Sequence, residues 1–308
     1  MEIYLPIADL PVNLFLLLGM GVAIGVISGM FGVGGGFLMT PLLIFIGIPS
    51  AVAVATVTTH VAASSCSGAI SYWRRKAIDL PLALMLLAGG IVGTSSGVWV
   101  FTLLRALNQL DLTIGLAYVT LLGVLGSLMI KEGLTAVLRT SHGQPPVVRR
   151  PGSHAWFHGL PLKLRFKRSK IYVSVIPVWA IGFVIGFLGA IMGISGGVIL
   201  VPMLIYLLRV PTSTVIGTAL VLQLVTMSSA TVLHASTNHL VDAVLALILM
   251  AGGVIGAQFG ARAGQKLPGE WLRLLLGVLV LGVCLRFATQ LVVAPDDPYS
   301  VRMIEALR

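Results

Sequence analysis

Gly32-Val-Gly-Gly-Gly-Phe-Leu-Met-Thr-Pro41 and Gly193-Ile-Ser-Gly-Gly-Val-Ile-Leu-Val-Pro202 are two versions of one stretch, separated by an offset of 161 in a chain of 308 residues. Each follows an apolar segment and opens a short apolar segment that ends in proline. Further pairs follow in the same order, with shifts of only one or two residues: Pro49 and Pro211, Thr56 and Thr218, Asp79 and Asp242, Leu87–Gly93 and Met250–Gly256. This ordered matching indicates an internal duplication, and we call residues paired in this way copies of each other.

The residues around these two stretches are apolar enough to lie in a membrane. Hydrophobic residues make up 57% of the chain and charged residues only 10%, whereas a soluble domain carries about 25% charged residues. No Asp, Glu, Lys or Arg occurs between Leu10 and Trp73, a run long enough for two or three spanning helices of about 20 residues each. The sequence therefore predicts an all-α integral membrane protein.

Each half of the chain divides into five apolar segments, of which the second is too short to span a membrane. The predicted segments are Asn13–Phe31, Phe37–Ile46, Ala51–Trp73, Pro81–Leu104 and Leu112–Ile130, then Val173–Met192, Val198–Leu208, Thr212–His234, Ala243–Ala261 and Trp271–Val293. A helix of the second segment would cover only about 15 to 17 Å of the roughly 30 Å of hydrocarbon. We therefore predict four full helices plus one half-helix or re-entrant segment in each half.

The two halves are predicted to be residues 1–131 and 171–308, joined by a basic linker of residues 132–170. Nine of the twenty Lys and Arg residues fall between Lys131 and Lys170. Because positive charge favours the cytoplasmic side, we place the linker and the Arg74-Arg75-Lys76 turn in the cytoplasm and both termini outside. An odd number of segments per half then inverts the second copy, which predicts two inverted-topology repeats, a feature of secondary transporters.

The two Gly-rich breaks are the first candidate binding site. Broken backbone inside a membrane is tolerated where it is buried in protein or lines a wet cavity. The N-terminus of a half-helix offers free N–H groups to an anion, and glycine lets a ligand approach the backbone closely. The alternative is close helix packing between small residues. We predict that an anion binds between the two breaks, at Gly34, Gly35, Gly36, Ser195, Gly196 and Gly197.

The paired Gly-x-[Gly/Ser]-Gly-Gly breaks, each with a proline at the end of the short segment, resemble those of the TauE/SafE sulfite exporter family. The Ala-Thr and Gly-Thr pairs that open the third segment of each half also fit this family. The resemblance covers nearly the whole chain except the linker. It implies a multi-pass transporter of the bacterial cytoplasmic (inner) membrane that exports sulfite, sulfoacetate or a related organosulfonate.

Polar side chains of the third segment in each half are the second set of candidates. Hydroxyl and amide groups can hold an oxyanion without the cost of burying a charge, and a histidine could add a titratable donor. The alternatives are hydroxyls bonded to their own helix carbonyls and a histidine that bonds to a neighbouring helix. The predicted substrate-binding residues of these segments are Thr56, Thr59, His60, Thr218 and Gln223.

Asp79 and Asp242 are the acidic residues that the two halves share. Each precedes a predicted helix, and Pro81 stands in the first turn after Asp79. We therefore interpret both as N-caps rather than as a proton-coupling pair of carboxylates.

Two other classes, nucleic-acid-binding proteins and serine hydrolases, are disfavoured by where their characteristic residues lie in the chain. The net charge of +10 is concentrated in the linker and at helix ends, which is an orientation signal rather than a nucleic-acid surface. Gly193-Ile-Ser-Gly-Gly197 fits the G-x-S-x-G pattern of serine hydrolases, with His234 or His239 one helix later, but it lacks the strand–turn–helix context.

A secondary transporter working by alternating access is therefore the predicted function, with an anion channel and an intramembrane serine protease as alternatives. No enzymatic activity, metal site or cofactor is predicted. The expected partners are a small anion and the lipid bilayer, and a homodimer is left open.

Overall fold

The computed structural model describes residues 2–31, 34–74, 76, 78–141, 163–166, 171–194, 196–204, 212–264 and 269–292. The α-helices of these residues are α1 (Leu14–Phe31), α2 (Gly36–Phe45), α3 (Ser50–Arg74), α4 (Leu80–Ala106), α5 (Leu110–Ser141), α6 (Val175–Met192), α7 (Gly197–Pro202), α8 (Thr212–Leu233), α9 (Ala243–Gly264) and α10 (Gly269–Val292). A π-helical turn, His234–Asn238, extends α8.

The helical content and its apolar character confirm the predicted class of all-α membrane protein. Within the described part of the chain, five segments are long and apolar enough to cross a membrane: Leu80–Ala106, Leu110–Thr135, Val175–Met192, Val215–Asn238 and Ala243–Gly260. The second segment of the first half, α2, is short as predicted, with 10 residues.

Both shared aspartates cap the helices that follow them. The Asp79 carboxylate accepts a hydrogen bond from the backbone N–H of Leu82 at 3.5 Å, and Pro81 stands in the first turn of α4. The Asp242 carboxylate accepts from the backbone N–H of Leu245 at 3.1 Å. The interpretation of these residues as N-caps is therefore confirmed.

Two β-hairpins, which the sequence pattern did not predict, precede α1 and α6. Strand β1 (Glu2–Leu5) pairs antiparallel with β2 (Leu10–Asn13), and β3 (Lys163–Phe166) pairs antiparallel with β4 (Ile171–Ser174). The four strands keep the same offset of 161 as the Gly-rich breaks. Each half therefore begins with a hairpin, which four-residue strands are too short to reveal by alternation of polar and apolar residues.

The predicted linker of residues 132–170 does not coincide with the ends of the surrounding elements. Helix α5 continues past Lys131 to Ser141, and β3 begins at Lys163. The charge at Lys131 ends the apolar run, but a helix can continue beyond the hydrocarbon because half of its next ten residues are good helix formers. Residues 142–162 lie outside the described residues, and the division of the chain into two repeats joined by a cytoplasmic linker stays a prediction.

Each half of the chain packs its helices against the other half. Helix α1 lies along α9 and α4 lies along α6, while α3 packs on α8 and α5 packs on α10. Since α1 is the copy of α6 and α4 the copy of α9, the first two contacts are copies of each other, and the last two join equivalent helices. The contacts agree with a duplicated unit, whereas the orientation of the halves in a membrane stays a prediction.

Helices α3 and α8 run antiparallel where they meet, and we call this contact the α3–α8 seam. Early in α3, the Thr58 hydroxyl lies 2.8 Å from the hydroxyl of Thr231 near the end of α8. Later in α3, the Ser65 hydroxyl donates to Gln223 Oε1 at 3.2 Å. The seam therefore connects the third segment of the first half to the third segment of the second half.

Glycines bring the paired helices α1–α9 and α4–α6 into backbone contact. A Cβ at Gly93 of α4 would lie 2.1 Å from the carbonyl oxygen of Phe183 in α6, and one at Gly256 of α9 would lie 2.1 Å from that of Val22 in α1. Such spacing of small residues lets membrane helices approach closely. The glycines in these two contacts recur in steps of four: Gly21, Gly25 and Gly29; Gly252, Gly256 and Gly260; Gly89, Gly93 and Gly97; Gly182 and Gly186.

Candidate functional site

The first Gly-rich break joins α1 to α2 and depends on glycine for its shape. Gly34 and Gly35 have φ angles of 86° and 64°, in the left-handed region that favours glycine. A Cβ at Gly35 would also lie 2.9 Å from a methyl carbon of Ile24. The predicted site residues Gly34, Gly35 and Gly36 are all buried.

Several N–H groups at the start of α2 are bonded within the break itself. The Gly36 N–H donates to Gly34 O at 2.8 Å, and the N–H groups of Leu38 and Met39 donate to Gly35 O. The prediction that the first N–H groups of α2 are free for an anion is therefore wrong for Gly36 and Leu38, whereas the Met39 bond is the ordinary first bond of the helix. The positive φ of the two glycines turns their carbonyl groups toward the helix.

The second break is built differently from the first. Gly193 follows the end of α6 with a φ of 66°, but Gly196 has a φ of −57°, which any residue adopts. Gly196 and Gly197 are buried, and Gly196 O accepts from the N–H of Leu200 at 2.6 Å. Ser195, the remaining predicted residue of this break, lies outside the described residues.

Thr40 of α2 connects the two breaks. Its hydroxyl donates to Gly36 O at 3.4 Å and lies 2.9 Å from the position that a Cβ on Gly193 would take. Tyr118 of α5 joins the same cluster, because its hydroxyl donates to Met192 O at 2.6 Å. Both side chains are fully buried. The structure therefore brings the two breaks together through two residues that the sequence analysis missed.

Thr56 and Thr218 bind the aspartate caps of the opposite half. The Asp242 N–H donates to Thr56 Oγ1 at 3.1 Å, and the Asp79 N–H donates to Thr218 Oγ1 at 3.4 Å. All four residues are buried. These bonds fasten the start of α3 to the start of α9 and the start of α8 to the start of α4. The threonines thus have a structural role, next to the predicted role in lining a cavity.

Thr56→Val is expected to lower the free energy of unfolding by about 1 to 3 kcal/mol, because it leaves the buried Asp242 N–H without its acceptor. Thr218→Val should lower the free energy of unfolding by less, since the bond from the Asp79 N–H to Thr218 Oγ1 is longer than the bond to Thr56. Thermal unfolding of the purified protein measures both losses, and Thr56→Ser, which keeps the hydroxyl, is the control. A Thr56→Val protein that melts normally but no longer binds an anion would instead support the cavity-lining role.

The other predicted polar side chains lie on α3 and α8. Thr59 reaches the Thr231 hydroxyl at 3.5 Å, and Gln223 lies further along the α3–α8 seam. His60 packs on Gly253 of α9, where a Cβ would lie 2.1 Å from its ring carbon Cε1. His60 and Gln223 are buried, whereas Thr59 is half-buried. The structure thus places Thr59 and Gln223 in one seam and His60 in the neighbouring α3–α9 contact.

Buried polar atoms without a hydrogen-bond partner occur where the two halves differ in sequence. Within the described part of the chain these atoms are His60 Nδ1, Thr94 Oγ1 and Gln223 Nε2. Their copies are the apolar residues Leu222, Ala257 and Val61. An unpaired buried polar group costs roughly 1 to 3 kcal/mol. The polar groups that break the internal symmetry are therefore candidates for contact with a ligand.

A hydrogen-bonded network surrounds the π-helical turn at the end of α8. His234 Nε2 donates to Ala190 O at 3.1 Å, and the Asn238 amide donates to His234 Nδ1 at 3.3 Å. Arg105 donates to Asn238 O at 3.2 Å, and the Thr102 hydroxyl donates to Asn238 Oδ1 at 3.0 Å. Because both ring nitrogens of His234 are used, this residue is a poor general base for the serine-protease alternative.

This fold and this site define a class, the polytopic α-helical membrane proteins in which each half of the chain carries a Gly-rich helix break. The family model described as "Sulfite exporter TauE/SafE" matches residues 17–287. The chain belongs to this family of membrane transporters, so the resemblance found in its sequence is confirmed.

Curated relatives agree with this family. The chain is 28% identical over 265 residues to "Probable membrane transporter protein YjnA" of Bacillus subtilis (strain 168), covering 85% of this chain and 94% of the relative. It is 28% identical over 283 residues to a "Probable membrane transporter protein" of Xylella fastidiosa (strain 9a5c), covering 89% and 94%. It is 33% identical over 95 residues to "Sulfite exporter TauE/SafE family protein 3" of Arabidopsis thaliana, covering 30% and 20%. No solved structure matches the chain.

Proposed function

We propose that the protein is a secondary transporter that exports a small sulfur-containing anion, such as sulfite, sulfoacetate or a related organosulfonate, from the cytoplasm. The observation that carries the proposal is the contact of the two Gly-rich breaks through Thr40. Secondary transporters commonly bind their substrate where broken helices from two repeats converge. The anion then binds next to the breaks, near residues 34–36 and 195–197.

The helix contacts suggest which parts move during alternating access. Helices α1, α3 and α9 pack together, as do their copies α6, α8 and α4. Within each group, the α1–α9 and α4–α6 contacts are made backbone to backbone, so each of these helix pairs is tightly packed. The contacts described above for the α3–α8 seam, which separates the groups, are made by side chains. Side chains can rearrange while the backbone-packed pairs stay intact, so we place the relative movement at the seam.

The proposed topology places both termini outside and the linker of residues 132–170 in the cytoplasm of a bacterium. The first hairpin carries Glu2 and Asp9 and no Lys or Arg, as expected of a segment outside. The Ile7 N–H of this hairpin donates to Asp242 Oδ2 at 3.0 Å, so the N-terminus and the start of α9 share one side. An inside-negative potential then favours anion exit by about 2.3 kcal/mol per charge per 100 mV.

Flux measurements in proteoliposomes test the proposed function. Vesicles loaded with sulfite or sulfoacetate are expected to release the anion at a rate that saturates with its concentration and rises when the loaded side is negative. Acetate serves as the comparison without sulfur. Flux of acetate without flux of either sulfur anion would contradict the substrate class. Non-saturating flux with single-channel currents would favour the anion channel.

A further inference from the structure

We propose that the side-chain amide of Gln223 is the hydrogen-bond donor that selects the oxyanion head of the transported anion, next to an apolar surface that takes an organic substituent. The proposal rests on the proposed function and adds a specificity-determining residue to it. It follows from the position of Gln223 in the α3–α8 seam, from its unpaired nitrogen and from the sequence difference between the halves.

The side-chain amide of Gln223 is fully buried, and of its two polar atoms only the oxygen has a hydrogen-bond partner. Ser65, which is also fully buried, donates to Oε1 at 3.2 Å. Its Nε2 has no partner among the residues that the structure describes. An amide nitrogen carries two N–H donors without a charge, and in a low-dielectric interior such donors gain much from an anionic acceptor. The amide therefore fits an oxygen of an oxyanion.

Gln223 lies close to the second Gly-rich break. Met227 is on the same face of α8, one turn after Gln223, and its methyl carbon lies 2.4 Å from the position that a Cβ on Gly189 would take. The Cβ position on Gly189 also lies 3.2 Å from the carbonyl oxygen of Ile194, a residue of the second Gly-rich break. Gln223 is thus about one helical turn along α8, roughly 5.4 Å, from the residue that packs on the break.

The copy of the Ser65–Gln223 contact is apolar. Gln223 is the copy of Val61, and Ser65 is the copy of Met227. Val61 and Met227 are both fully buried and belong to one apolar cluster. The seam therefore offers an N–H donor at one turn and methyl groups at the next. An anion with an oxyanion head and an organic substituent fits both, because each part meets the environment that it prefers.

Methanesulfonate and sulfate test the two sides of this site, since a methyl group in one replaces an oxygen in the other. Titration calorimetry on the full chain in lipid nanodiscs should show methanesulfonate binding at least about fivefold more tightly than sulfate, because burying the methyl is favourable and burying the second negative charge of sulfate is not. Equal affinities, or tighter binding of sulfate, would overturn the apolar side of the proposal.

Gln223→Leu is expected to weaken methanesulfonate binding by about ten- to a hundredfold, the usual effect of losing a hydrogen bond to a charged acceptor. The same change should alter the melting temperature of the anion-free protein only slightly, because it removes the unpaired Nε2 but also leaves the Ser65 hydroxyl without its acceptor. Gln223→Met, which keeps the length of the side chain, is a second variant for which we expect the same results.

Thr226→Val is the matched control. Thr226 is also fully buried on α8, but its hydroxyl donates to Leu222 O at 2.8 Å, so methanesulfonate binding should persist. If the wild type and both Gln223 variants bind methanesulfonate equally, this inference is overturned while the proposed function stands. Variants that melt earlier yet bind normally would also overturn it, as a packing role would. If the wild type binds no sulfur-containing anion, both proposals fail.

Discussion

A disulfide between cysteines introduced at Thr58 and Thr231 is expected to stop transport completely, and its reduction is expected to restore transport. The two hydroxyl oxygens lie 2.8 Å apart across the α3–α8 seam, and a disulfide needs about 2.05 Å between its sulfurs, so a small adjustment closes the bond. One cysteine belongs to each half of the chain. The bond therefore ties together the two groups of helices whose relative movement the proposed mechanism requires.

The cross-linking experiment uses a background in which the native cysteines Cys66 and Cys284 are replaced by alanine. Anion release from proteoliposomes is measured after oxidation and again after reduction. Each single-cysteine variant, treated with the same oxidant, controls for the loss of one hydroxyl. Undiminished release from fully cross-linked protein would show that the seam does not move, which contradicts the proposed mechanism and favours a channel with a fixed pore.

Gly93→Ala and Gly256→Ala are expected to be among the most damaging single substitutions for folding, each costing on the order of 3 kcal/mol. Each new Cβ would lie 2.1 Å from a backbone carbonyl oxygen of the facing helix, so the two helices would have to separate. Alanine gains at most about 1 kcal/mol in helix propensity over glycine. The steric clash therefore outweighs the gain.

The amount of monodisperse protein after detergent extraction, together with its melting temperature, measures the effect of these glycine substitutions. Gly19→Ala is the control on α1, because a Cβ there has nothing within 4 Å, and it should be neutral or stabilising. Gly93 and Gly256 are copies, so their variants should fail alike. A Gly93→Ala protein with normal yield and melting temperature would mean that α4 and α6 are not in backbone contact.

The duplicated arrangement of helices could be predicted from the sequence because the residues that build it are identical in the two halves. Gly93 and Gly256 recur because no side chain fits between the paired helices. Asp79 and Asp242 recur because a helix that starts in the interior needs an acceptor for its first N–H groups. Each of these positions accepts only a few residue types, so the constraint remains visible in a single sequence.

The partners of polar side chains could not be predicted in the same way. The spacing of Thr56 is compatible with a cavity and with a neighbouring helix, and its actual partner, the Asp242 N–H, is 186 residues away. Thr40 and Tyr118 were missed, although each is an isolated polar residue in an apolar segment, which is a usable signal. The hairpins were missed because their first strands share no identical residue, as EIYL and KLRF show, and because four residues of alternating polarity are too few to be distinctive.

The crosswise packing of the halves sets the order in which the chain can assemble. Gly21 of α1 lies against Gly252 of α9, so the closest neighbour of α1 is translated about 230 residues later. At about 5 to 20 residues per second, the ribosome needs roughly 10 to 50 seconds to reach it. Until then the glycine surface of α1 has no native neighbour, and lipid or the insertion machinery must cover it. The newly made first half is therefore a long-lived intermediate, exposed to proteolysis for as long as synthesis of the second half takes.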